Sequence, residues 1–245
     1  MRILATALAI CIALAGCTSA AGSRIAEAPH GPAPLAPATH FVVGEQMVWD
    51  VFWRGVAIGT ASLTVDTRGV RSSFRTGVLA RALATVRYEL QTTLVERVAR
   101  AATELIVLGD ETTRTELTLD GTRYHLNTRA GEVPGGTELH SLHSALGALR
   151  AWVTPTAERS YLWLALGGRL YRLDAAPPVA ESLDGMRTLR IECVVRALDP
   201  AQPQVDITVW LASSADRTPV RFVVETGGER IAAQLTETTA PLAAR

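Results

Sequence analysis

The chain has 245 residues with 24 basic and 24 acidic side chains, a formal net charge of zero, and arginine as its sole basic residue apart from five histidines. Arginine is interspersed with aspartate and glutamate rather than gathered into a basic block, which excludes nucleic acid as a partner. The lack of lysine excludes Schiff-base and lysine general-base chemistry, and three cysteines without a CxxC pair exclude a zinc finger.

Arg2 precedes an uncharged run from Ile3 to Ala15 that is too short to span a bilayer, which takes ~20 apolar residues. Small residues then place Cys17 where an export signal is cut. Leu14-Ala15-Gly16-Cys17 resembles the lipobox of bacterial lipoprotein precursors. That resemblance implies a signal peptide over residues 1–16 and lipidation of Cys17 by palmitate-like acyl chains on its sulfur and its amino group. Two chains hold a protein durably at a membrane where one holds it only marginally. Thr18 rather than aspartate after the cysteine implies the outer membrane, facing the periplasm, under the sorting rule of well-studied lipoproteins. Cys11 leaves with the signal, so Cys193 is the one free thiol and no internal disulfide forms. It alternates with Leu189, Ile191 and Val195, the pattern of a buried, inert strand cysteine.

Residues 17–39 read as the lipidated cysteine followed by a tether, because Pro29, Pro32, Pro34 and Pro37 stand among small residues in a composition that favours extended chain. At ~3.1 Å per residue the tether reaches roughly 60 Å. His30 and His40 fall in or beside it as solvated loop residues. Residues 40–238 read as a single β-rich domain, and 239–245 as a disordered tail.

From Phe41 onward the dominant period is two. Met47, Trp49, Val51 and Trp53 share one strand face, and Ala61, Leu63 and Val65 share the next after a glycine turn. Asp120-Gly121, Gly167-Gly168 and Gly227-Gly228 mark further hairpins, and Val205, Ile207, Val209 and Leu211 alternate most cleanly of all. About a dozen strands are predicted in this way. Helical spacing of Leu139, Leu142, Ala145, Leu146, Leu149 and Val153 predicts one amphipathic helix over Glu138 to Trp152, with Pro155 at its exit. The expected fold is mainly β, a strongly curved antiparallel sheet or open β-barrel with that helix closing a mouth or face.

Phe41-Val42-Val43-Gly44-Glu45, Trp49-Asp50-Val51 and Trp53-Arg54-Gly55-Val56-Ala57-Ile58-Gly59-Thr60-Ala61 resemble the opening of domain-of-unknown-function family 3108, a group of exported bacterial β proteins. Ser144-Ala145-Leu146-Gly147-Ala148-Leu149-Arg150 resembles that family's short helix ending in arginine. Val209-Trp210-Leu211 through Arg217-Thr218-Pro219-Val220 resembles its late strand, turn and strand. The likeness spans about Phe41 to Glu237, departs from the family where His143 stands in place of an acidic residue, and brings no established reaction with it.

The residues themselves point away from an enzyme. No GxSxG, HExxH, phosphate-cradling or dinucleotide motif occurs. His140 and His143 lie three apart with only Glu138 nearby, too few ligands for a metal, so neither metal nor cofactor is expected. His143 and Arg150 flank the helix stripe two turns apart as structural residues, with a sheet carboxylate as the expected partner. Glu45 and Asp50 read as a hydrogen-bonded strand-entry residue and an outward strand charge. Trp49 and Trp53 read as core, whereas Phe52 and Trp210 fall on otherwise polar strand faces and need covering, either by the helix or a loop or as an apolar groove for a ligand. The expectation is a lipid-anchored, non-enzymatic envelope lipoprotein whose curved sheet binds a hydrophobic, acyl-chain-like ligand. The alternative is an assembly partner in an envelope complex acting through sheet edges. A membrane-embedded barrel is disfavoured by the sparse aromatics, which form no interfacial girdles.

Overall fold

The computed structural model describes residues 33–36, 38–81, 85–154, 157–198 and 202–239. The signal segment, Cys17, Thr18, His30, Pro155 and the end of the tail lie outside the described residues. Seventeen strands follow one another: β1 (Ala33–Pro34), β2 (Gln46–Trp53), β3 (Val56–Asp66), β4 (Gly69–Thr76), β5 (Val86–Val95), β6 (Val98–Leu108), β7 (Glu111–Asp120), β8 (Arg123–Leu126), β9 (Arg129–Glu132), β10 (Leu139–His140), β11 (Ser160–Leu166), β12 (Arg169–Ala175), β13 (Val179–Leu183), β14 (Met186–Ala197), β15 (Val205–Ala212), β16 (Pro219–Thr226) and β17 (Glu229–Thr239). A one-turn helix covers Val78–Arg81, and the main helix covers Leu142–Trp152.

All strands join one open sheet, in which sequence neighbours pair antiparallel as hairpins at the glycine-marked turns. Three departures shape it, the first being that β12 and β13 both pair with β14. The last strand, β17, pairs with β2, so the two ends of the domain meet in the middle of the sheet. At one edge, β1 and β10 both lie parallel to β11. Register shifts at Val51/Phe52, Thr93/Leu94, Trp210/Leu211 and Leu235/Glu237 are bulges, which bend and twist the strands that carry them. At Gly69 a side chain is impossible, because a Cβ there would sit 1.9 Å from the Thr92 carbonyl oxygen.

The roll is read from β11, which is buried along both faces. Leu162 and Leu164 pack with Ala145, Ala148 and Leu149 of the main helix, whereas Tyr161, Trp163 and Ala165 pack with Leu90, Ala102, Leu117 and Leu126 from the opposite half of the sheet. One edge of the sheet is thus tucked against the inner face of the other half, and the helix lies inside the curl.

Three expectations change. The strands beyond about a dozen are mostly short ones (β1, β8, β9, β10 and β13) whose brevity leaves little periodic pattern to read. The helix starts at Leu142 rather than Glu138, because Leu139 and His140 are drawn into pairing with Trp163 and Leu164. It is not a one-faced amphipath either: Leu142 of the proposed stripe is 39 % exposed, while His143, Ser144, Gly147, Ala148 and Arg150, off the stripe, are buried. The helix meets protein on most of its sides, with Leu142 and Ala151 left exposed.

The tether also ends earlier than its composition suggests. Ala33 and Pro34 pair with β11, the Ser160 hydroxyl donates to the Ala33 carbonyl at 2.6 Å, and Leu35 N–H donates to the Tyr161 carbonyl at 2.7 Å. Leu35 and Thr39 are buried, and His40, expected in a solvated loop, is half-buried near Arg150 and Arg97. Leu35→Ala is expected to lower the unfolding free energy by about 2–4 kcal/mol in a urea titration, since it empties a core position. A change under about 0.5 kcal/mol would place this segment outside the cooperative core.

Candidate functional site

The main helix is fixed at both ends by polar groups that the sequence places on its buried sides. Ser141 is the N-cap: its hydroxyl accepts from Ser144 N–H at 3.2 Å, while the Ser144 hydroxyl accepts from Ser141 N–H at 2.9 Å, a reciprocal capping box. Half-way along, Gly147 lets the chain through residues 39–41 approach. A Cβ there would lie 2.5 Å from Thr39 Cβ and 2.6 Å from the Phe41 ring.

At the C-terminal turn, Arg150 is fully buried. Its guanidinium donates to both oxygens of Glu45 at 3.0 and 2.6 Å and to the Asp216 carbonyl at 2.5 Å, and it lies 5.2 Å from the centre of the Phe41 ring. The sheet carboxylate opposite the helix is therefore Glu45, the residue at the entry to β2. Asp216 beside it is held below the usual aspartate range. Burial opposes this, but hydrogen bonds from the Ser214 and Thr218 hydroxyls and the charge of Arg150 outweigh it.

His143 belongs to a second buried network. Its Nε2 meets the Ser72 hydroxyl at 2.8 Å and its Nδ1 the Thr92 hydroxyl at 3.0 Å, and Thr92 in turn meets Ser141 at 2.9 Å. With both ring nitrogens occupied and the ring fully enclosed, burial lowers its pKa to about 3, so it is neutral. Burial likewise lowers His140, on β10, to about 4. Among the described residues no group of three or more His, Cys, Asp or Glu is placed to hold a metal. Cys193 is buried on β14, and burial pushes its thiol up to about 12, where no reactive thiolate forms at neutral pH.

Glu104 on β6 belongs to no motif, but its parity with Ala102 and Ile106 marks it as inward-facing. It is 5 % exposed. One carboxyl oxygen accepts from Gly167 N–H at 2.7 Å, holding the β11–β12 turn against β6. Burial raises its pKa, against the opposing pull of the Gly167 and Tyr88 hydrogen bonds. A cavity of about 20 Å³ lies beside it, between the helix start and the sheet, lined by Leu90, Leu117 and Leu142 among others. That is room for about one water molecule.

Neither Phe52 nor Trp210 lines the cavity beside Glu104. Both are half-buried on the outer face of the sheet, and neither lies under the helix, which is on the other side. Trp210 sits among charges: its indole N–H donates to Glu181, Glu181 accepts from Arg190 at 3.0 Å, and Arg221 lies 5.5 Å from its ring centre. Phe52 opposes Ala232, and β17 and β16 separate its strand from β15, a gap of about 14 Å at ~4.8 Å per strand. The larger concavity, about 530 Å³, opens on the outer face of β3–β7 and is lined by Ser62, Ser73, Arg71, Arg75, Gln91 and Arg114 with other polar side chains.

No family model matches the chain, and no curated protein does. Among solved structures it resembles the β-barrel-like protein of domain of unknown function DUF1849 from Brucella abortus, at 9 % identity, 80 % of this chain, 97 % of that one and a TM-score of 0.57. The fold is β-barrel-like. Lipoprotein LppX of Mycobacterium tuberculosis matches over 82 % of this chain and 88 % of its own at 15 % identity with a TM-score of 0.28, and LprF of Mycobacterium bovis over 82 % and 87 % at 15 % identity with 0.25. Those two superpose too loosely to bear on the site.

The buried groups set two expected outcomes. Arg150→Ala strands the Glu45 carboxylate and is expected to cost about 3–5 kcal/mol by chemical denaturation, whereas the double replacement Arg150→Met with Glu45→Leu is expected to recover most of that loss. The two histidines, neutral in the fold, bind protons in the unfolded chain near pH 6.5 and in the native state only near 4 and 3. Their contribution is present above pH 6.5 and is lost as pH falls, approaching about 3 kcal/mol per pH unit below pH 6. Urea midpoints at pH 7, 6 and 5 measure this. A flat profile would place both histidines in contact with solvent, and about half the slope would place one there.

Proposed function

We propose that this chain is a lipid-anchored, non-enzymatic protein of the bacterial cell envelope that works through its outer surface, as a binding and assembly module, rather than through its interior. The observation that carries this reading is the filled lumen: the main helix and the apolar clusters around β11 occupy the concave side, and the cavity between helix start and sheet holds about 20 Å³. An acyl chain requires a site of a few hundred Å³. The groups suited to chemistry are withdrawn into the packing, with His143 neutral and saturated by hydroxyls and Cys193 buried as a thiol.

The anchor is Cys17, acylated after removal of residues 1–16, with the outer membrane, periplasm-facing, as the site implied by Thr18. From residue 33 the chain docks beside the start of β11, so it leaves the domain at that end of the sheet.

A second reading, carriage of an acyl-chain-like ligand, is favoured by the barrel-like curl of the sheet around the main helix. In that reading the ligand replaces the helix, so the residues that control it are Glu45 and Arg150 rather than Phe52 and Trp210.

Growth with a clickable palmitate analogue is expected to label the protein, and Cys17→Ser to abolish the label. Native mass spectrometry of the detergent-released protein is expected to give the acylated polypeptide mass alone. A stoichiometric additional lipid would overturn the surface reading in favour of carriage, and unlabelled wild-type protein would overturn the anchor.

A further inference from the structure

On the outer face of β3–β7, three arginines are matched by carboxylates and one, Arg75, is left without an ion-pair partner among the described residues. Arg75 on β4 stands directly opposite Arg87 on β5, and its other cross-strand neighbour is Thr60. Like charges directly opposite on one sheet face destabilise the pair. Arg87 is relieved by Glu89 at 2.5 Å and Arg114 by Glu116 at 2.9 Å, whereas Arg71 reaches Asp66 only at 3.9 Å, and among the described residues no carboxylate lies within ion-pair distance of Arg75. The concavity of about 530 Å³ opens among these groups, with Arg71, Arg75 and Arg114 in its lining and Glu89 as its one acidic member.

Geometry narrows what fits. Arg71 and Arg75 are four residues apart on one strand, about 13 Å at ~3.3 Å per residue, and Arg114 lies three strands away from them, about 14 Å at ~4.8 Å per strand. A small acid reaches one corner of that triangle, so a ligand using it has to carry repeated anionic groups on a frame of that length. Between the corners lie hydroxyl and amide groups. Ser62 and Ser73 face each other at 3.0 Å, and Gln91 stands opposite both Arg71 and Thr103. No aromatic ring lines the concavity, which argues against stacked bases or stacked neutral sugars. Glu89, already paired with Arg87, offers acceptor oxygens to sugar hydroxyls.

We propose that the concavity on β3–β7 binds an acidic glycan, a sugar polymer bearing carboxylates, with Arg71, Arg75 and Arg114 forking onto its carboxylates and the Ser and Gln side chains meeting its hydroxyls. This rests on the surface reading above and names its ligand class. It fits a protein held by a tether, whose folded part meets polymers in the envelope space.

Calorimetry with the full mature chain in detergent tests it, with oligogalacturonate as probe, dextran as neutral control and poly(glycerol phosphate) as the phosphate polymer. Oligogalacturonate is expected to bind and to weaken with added salt. Arg75→Ala is expected to weaken it about tenfold, Arg75→Lys less, and the Arg71→Ala/Arg75→Ala pair to remove binding, while Arg221→Ala outside the concavity leaves it unchanged. Exposed positions are chosen so that the fold survives, which circular dichroism checks. Oligogalacturonate binding no better than dextran, tighter binding of poly(glycerol phosphate), or wild-type affinity in the double variant would each overturn the proposal. Failure of palmitate labelling leaves this assay untouched, so loss of the anchor and loss of the glycan site are told apart.

Discussion

Burial of one guanidinium organises the molecule. Arg150 has no solvent to fall back on, so its position is acceptable only where Glu45 and the Asp216 carbonyl are waiting, and these come from the entry to β2 and the turn between β15 and β16. Removing two charges from water costs several kcal/mol each before their attraction and hydrogen bonds offset it, so the pair adds little net stability while tolerating few alternative arrangements. What it contributes is registration. The helix terminus, the first long strand and a late turn are held at one point, and the close contact at Gly147 with Thr39 and Phe41 fits only when they are.

The same logic separates the two sides of the sheet. Inside, ionisable groups are kept uncharged or paired: His140 and His143 are neutral, the thiol of Cys193 is protonated, and burial drives Glu104 toward its acid form. Glu104 is the exception that strains the arrangement. Between the ordinary glutamate pKa and its raised native value, the unfolded chain gives up a proton that the fold retains, so its contribution is full at low pH and declines as pH rises through that window, opposite to the histidines. Outside, charge is abundant, and the pairs there are half-exposed and individually weak.

Much of the architecture was legible because strand alternation is a local property. Met47, Trp49 and Val51, or Val205, Val209 and Leu211, declare their inward face without knowledge of any partner, and these positions are buried. The glycine pairs mark hairpins for the same local reason. Illegible features are those decided at long range. Nothing near Leu35 announces that β11 leaves an edge for it, so proline-rich composition suggested a solvated tether. Tyr161 to Leu166 is an uninterrupted apolar stretch, yet only the roll of the sheet explains why both of its faces are covered. Phe52 and Trp210 were correctly placed on the outer parity, but whether two outward aromatics meet depends on strand order, and β17 and β16 intervene between theirs. Arg150 and Glu45 were each recognisable as unusual; their meeting across 105 positions was not a property of either neighbourhood.

Opening the lumen to an apolar guest has a calculable threshold. The helix would have to leave, parting Arg150 from Glu45 and exposing Ala145, Ala148 and Leu149. Re-exposing those three apolar side chains alone costs about 3–5 kcal/mol, at about 0.8 kcal/mol per methyl group and about 1.5–3 kcal/mol for a leucine. By the factor of ten per 1.4 kcal/mol, the open form is then under about one molecule in a hundred, and any ligand's apparent affinity is reduced by that fraction. A long acyl chain, at about 0.8 kcal/mol per buried methylene, has enough apolar surface to meet such a threshold, whereas a short one does not. The interior is therefore selective by energy before shape enters, and the outer concavity, already open and already charged, is the surface available to a ligand without rearrangement.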